Sequence, residues 1–158
     1  MTNCFENISI PPCIWFEAGD KRNTYASIIA GLLFFSGWWI LIDAASVYPG
    51  SLSAAHHICG VFGTISLFMV NSVSNAQVLG DAYSGGCMGP RGARAWLFLG
   101  FVIGFASVIA ACWIMFADFV SAGGNGHTYP GVGLLLQNLL IFLGSLVYKF
   151  GRSEELWG

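Results

Sequence analysis

Asp43, Asp118, His56, His57 and His127 are the residues of this chain best suited to acid–base or metal chemistry. Carboxylates and imidazoles can ligate a divalent metal, and imidazole titrates in the range of an acidified compartment. Their spacing argues against one shared ion. Adjacent His56 and His57 point to different faces of a helix, and His127 ends the glycine-rich run 121–126. Metal binding, pH sensing and interfacial structural histidine therefore stand as three readings of one cluster. Catalysis would need a pocket the sequence does not display, and Gly-x-Ser-x-Gly, His-Glu-x-x-His and P-loop motifs are all missing. Neither enzymatic activity nor a cofactor is expected.

The two aspartates share a setting. Trp38 precedes Asp43 and Trp113 precedes Asp118 at the same distance, and each is followed by Tyr-Pro-Gly, at 48–50 and 129–131. This weak internal repeat predicts two hairpins running the same way, related by a pseudo-two-fold along a membrane normal. A carboxylate at a helix C-terminus faces the negative end of the macrodipole and needs compensation. The expected sources are the N-terminus of the following helix or the histidines.

The amides Asn71, Asn75, Gln137 and Asn138 form the second polar set. Buried amides ordinarily bond across helices and fix their register; the alternative is a polar path for a transported solute. At 1.5 Å per residue, Asn71 is expected about 12 Å from one end of its span, and Gln137-Asn138 about 10–12 Å from the other. The two groups then lie at different depths and do not make one binding layer.

These residues need long apolar elements to hold them, and the composition supplies little else. The 158 residues are 56% hydrophobic and 9% charged, with a net charge of -2, and the mean hydropathy is +0.69. Soluble domains carry roughly 25% charge. Disordered chains are poor in apolar residues, and nucleic-acid binding needs a basic field. An all-α integral membrane protein follows. The uncharged stretches 23–42, 44–80, 95–117 and 119–148, trimmed by the turn at 48–51 and the glycine run, predict transmembrane helices over 24–46, 54–79, 94–117 and 130–149. Residues 1–23 are expected to form a cytosolic N-terminal segment and 150–158 a cytosolic tail.

Sidedness comes from the cations. Lys21, Arg22, Arg91, Arg94, Lys149 and Arg152 all fall on the face that holds both termini, which positive-inside bias makes cytosolic. Trp15, Tyr25, Trp96, Tyr148 and Trp157 mark that interface, and Trp38, Trp39, Tyr48, Trp113 and Tyr129 the other. No cleavable signal peptide is recognisable. The five cysteines form no CxxC pair, so a zinc site is unsupported.

Lipid tails are as apolar as leucine, so helices associate through small residues and a few polar contacts. Gly100, Gly104, Ser107 and Ala111 make such a stripe on the third helix, Gly133, Gln137 and Gly144 on the fourth, and Ser27 and Gly31 on the first. Each can serve the bundle or a partner. The Gly100 stripe is the expected partner face.

Several blocks go further than composition. Residues 21–24, 33–39 and 42–45, Asn71-Ser72-Val73-Ser74-Asn75, Gly92-Ala93-Arg94, Gln137-Asn138 and the segments 149–152 and 155–157 resemble, in order, the transmembrane protein 50 family, whose fungal members are known as vacuolar protein sorting-associated protein 68. The likeness covers about residues 20–158. It implies a four-span endomembrane protein without catalytic activity, placed at late endosome, Golgi or endoplasmic reticulum. It also implies traffic from late endosome to vacuole or lysosome, in complex with a four-span protein like vacuolar protein sorting-associated protein 55 or the leptin receptor overlapping transcript family. The bilayer and that protein are the expected partners, with no nucleic acid. A small transporter or channel is the alternative. The family has no assigned active site, so no residue role carries over.

Overall fold

The computed structural model describes residues 18–74, 78–79, 89–121 and 127–152. Among them run four helices: α1 (Ala18–Val47), α2 (Ala54–Ser72), α3 (Pro90–Ile114, continued by a π-helical turn over Met115–Val120) and α4 (Tyr129–Gly151). All four are long and apolar enough to cross a membrane. In hydrocarbon a segment must satisfy its own backbone groups, and an apolar run does so by coiling into a helix. Pro90 and Pro130 sit in the first turns of α3 and α4, where a missing N–H costs nothing. The α1–α2 connection is a tight turn. Ser51 N donates to Tyr48 O at 3.2 Å, and Gly50 takes φ 81° after Pro49, the arrangement of a type II turn.

The last helix in sequence is the axis of the bundle. α4 packs on all three others, whereas α1 lies almost wholly on α4 and barely touches its chain neighbour α2. The α1/α4 contact is antiparallel and built from small residues. A Cβ added to Gly133 would stand 3.3 Å from Ala44, one on Gly144 3.1 Å from Ala30 O, and one on Gly37 3.1 Å from Gln137 O. α2 and α3 meet in the same manner, with Gly100 against Met69 and Val70, and Gly104 against Ser66. Close backbone approach is what small residues contribute where no hydrophobic effect drives helices together.

Four boundaries differ from expectation by three residues or more: α1 begins at Ala18 instead of 24, taking in residues expected to precede the span, and α3 begins at Pro90 instead of 94. α2 stops at Ser72 instead of continuing to 79, because the polar run turns back on its own backbone. Asn71 Nδ2 donates to Leu67 O at 2.8 Å and Ser72 Oγ to Met69 O at 2.8 Å, and Val73 is extended. Such local bonds compete with helix continuation. At the other end, α3 runs past 117 by widening into the π-helical turn.

The cations cap carbonyls at the basic end. Arg22 donates to Gly151 O at 2.9 Å, Arg94 to Val78 O at 2.8 Å, and Lys149, almost completely buried, to Val73 O. Positive groups at helix C-termini meet the negative end of the dipole.

Candidate functional site

At the acidic end both aspartates find partners, though not those nearest in sequence. Asp118 Oδ2 accepts from His56 Nε2 at 3.1 Å, joining the end of α3 to the first turn of α2. Asp43 Oδ2 accepts from the Tyr129 hydroxyl at 2.8 Å, joining the end of α1 to the start of α4. Each carboxylate therefore reaches the start of a helix in the other hairpin, not the helix that follows it. The reason is adjacency: α1 pairs with α4, and α3 with α2. From the sequence Tyr129 reads as an interface aromatic and not as a carboxylate partner. Its place in the repeated Tyr-Pro-Gly was the available signal.

The π-helical turn aims this end of α3. It tucks Phe119 against Gly131, where an added Cβ would stand 2.8 Å from the ring, and leaves Asp118 exposed opposite His56. A widened turn of this kind redirects side chains that a regular helix would place elsewhere.

His56 also fixes the start of α2. Its Nδ1 accepts from the Ser53 backbone N–H at 3.0 Å, so Nε2 carries the proton donated to Asp118 and the ring is neutral in this arrangement. The Ser53 hydroxyl approaches the same Nδ1 at 3.3 Å. Ser53, His56 and Asp118 thus line up in the order of a nucleophilic triad, yet Nδ1 is already engaged by a backbone donor. The base that would activate the hydroxyl is occupied.

The other histidines stand apart. His57 enters neither pair, and His127 lies over Tyr48 with ring centroids 4.3 Å apart. Among the described residues no three His, Cys, Asp or Glu side chains converge as metal ligands. We expect Tyr129→Phe and Asp118→Asn each to destabilise the acidic end only slightly, because both contacts are solvent-exposed and screened. Thermal unfolding in mild detergent would show a small downward shift for each; an unchanged midpoint would mean that neither contact bears on stability.

The amides lie on α2 and α4 at separate levels. Gln137 is 0% exposed and rests on Gly60, where an added Cβ would be 2.6 Å from its Nε2. Asn138 faces Gly63, and its Nδ2 donates back to Leu134 O at 3.0 Å. Asn71 Nδ2 reaches Ser145 Oγ at 3.3 Å, close to the end of α2 instead of deep in the span. Both polar atoms of Gln137, and the oxygens of Asn71 and Asn138, are buried without hydrogen-bond partners. Asn75 lies outside the described residues.

The stripe Gly100, Gly104, Ser107 and Ala111 is buried, which corrects its reading as an outward partner face. Ser66 Oγ donates to Gly100 O at 2.6 Å, and Gly104 lies against Ser66 and Phe142. α2 and α4 occupy the face that a partner would have needed.

A family profile described as Uncharacterised protein family (UPF0220) matches residues 4–157. A transmembrane protein 50 homolog of Dictyostelium discoideum is 30% identical over 146 residues, covering 83% of this chain and 91% of the relative. A UPF0220 protein of Schizosaccharomyces pombe is 26% identical over 128 residues, 73% of each chain. No solved structure matches the chain. With nearly its whole length matched and four helices fit to cross a membrane, the chain belongs to the UPF0220 family of transmembrane protein 50 proteins.

Proposed function

We propose that this protein is a non-enzymatic membrane scaffold in endosomal and Golgi sorting. It supports late-endosome traffic by pairing laterally with a second four-span protein, of the vacuolar protein sorting-associated protein 55 or leptin receptor overlapping transcript kind. The observation that carries the pairing is the outer face of α1. Tyr25, Ile28, Leu32, Phe35, Trp39 and Ile42 are all exposed and alternate three and four residues apart, the spacing of a left-handed helix–helix seam. α1 rests on α4 alone along most of its length, so this seam is open to lipid or to a second protein whose side chains interlock with it better than lipid tails do.

Truncating the seam with Leu32→Ala and Phe35→Ala is expected to lower recovery of the four-span partner from mild detergent severalfold, without changing thermal stability. Undiminished recovery would reject α1 as the docking face. Proximity labelling in native membranes tests the wider role, and a neighbour list lacking endosomal or Golgi sorting proteins would count against it. A small transporter or channel is the second reading, favoured by the unpartnered buried amides. Liposome flux lost on Asn71→Leu would support it.

A further inference from the structure

Because α1 and α2 diverge, they leave a groove of about 510 Å³ between them near the basic end, floored by α4. Ala30, Gly31 and Phe34 form one wall, Leu67, Phe68, Asn71 and Ser72 the other, and Tyr148 lies at the base. We propose that this groove is a binding site for one membrane sterol, with its ring system between the walls and its hydroxyl toward Asn71 and Tyr148. The proposal goes beyond the scaffold role and does not depend on it.

Three features select this occupant. The volume falls within the roughly 300–1,000 Å³ of pockets that hold a single compact ligand in a mostly apolar lining with few polar groups. A lipid with two acyl chains needs more than one such groove. No charged side chain lines the groove itself; the Arg152 guanidinium stands outside it, 5.0 Å over the Tyr148 ring. The polar groups present are neutral, one amide and two hydroxyls. Ser72 Oγ is held between Met69 O and Trp96 Nε1, which leaves the Tyr148 hydroxyl free to donate while it accepts from Arg152, beside Asn71 Oδ1, buried without a partner. A lone hydroxyl both donates and accepts, which suits such a set.

Gly31 shapes the wall. An added Cβ there would meet nothing within 4 Å, so the glycine is not required by the protein's own packing. Its bareness leaves a flat shelf beside the Phe34 and Phe68 rings, and a rigid planar body fits a shelf better than a flexible chain does. Leucine at this position would fill the groove while improving helix propensity.

The test uses the purified full-length chain in phosphatidylcholine nanodiscs and a diazirine-bearing sterol as the probe. Photoadducts are expected on residues 30–34 and 67–72, and free sterol should compete them away. Sterol methyl ether, which cannot donate, should compete roughly threefold to tenfold less well, the ratio expected for one hydrogen bond. Gly31→Leu should reduce labelling roughly tenfold or more at unchanged thermal stability, and Asn71→Ala should erase the alcohol–ether difference. Adducts spread evenly over the outer faces, unchanged labelling of Gly31→Leu, or equal competition by diacylglycerol would each overturn the proposal.

Discussion

Gly104→Leu is expected to destabilise the folded bundle, not merely to detach a partner. A Cβ at this position would stand 2.6 Å from Ser66 Oγ and 3.0 Å from the Phe142 ring. Ser66 cannot simply swing away without loss, because its hydroxyl holds Gly100 O at 2.6 Å. Leucine extends further into the junction where α2, α3 and α4 meet. Overpacking of this kind costs about 1–3 kcal/mol for small insertions and more when backbones must separate. For a chain of this length, 2 kcal/mol or more lowers the unfolding midpoint by roughly 5 °C or beyond. Gly104→Ala should give a smaller loss, and Gly31→Leu, placed in open space, none. Monitored by size exclusion and thermal unfolding in detergent, a Gly104→Leu protein as stable as the parent would show that α2 and α3 do not approach this closely.

That outcome reverses what the sequence alone suggests, and the reversal shows which information is local. Four spans and their order are legible from uncharged stretches, turn residues and prolines, because each is set by a segment's own chemistry. The GxxxG stripe announces close packing but does not name its mate, which is Ser66, Met69 and Val70 on α2. Asp43 and Asp118 signal a need for compensation, yet the donors Tyr129 and His56 depend on which helices are neighbours. The end of α2 was in principle readable. Asn71, Ser72 and Ser74 favour side-chain bonds to nearby backbone, a competing preference that the length of the apolar run obscures. The π-helical turn at 115–120 has no such signature. It exists to satisfy Phe119 against Gly131 and Asp118 against His56, contacts made only after the bundle closes.

Gln137→Met is expected to stabilise the protein, an unusual direction for a change at a fully buried position. The glutamine amide is 0% exposed, and neither its nitrogen nor its oxygen has a partner. An unsatisfied buried polar group costs about 1–3 kcal/mol, and the hydrocarbon around the bundle offers no water to relieve it. Methionine nearly matches glutamine in length and adapts its rotamers to irregular space, so it keeps the contact with Gly60 while removing the unpaired dipoles. A gain of about 1–2 kcal/mol would raise the midpoint by roughly 2–6 °C. Gln137→Ala should do the opposite, since deleting the side chain leaves a cavity between α2 and α4. The pair separates two uses of the amide. Stabilisation by methionine with function retained means that the polar group is a tolerated burden of the packing. Destabilisation by methionine, or solute flux that disappears with it, means that Gln137 holds water or solute in the bundle and moves the balance toward the transporter reading.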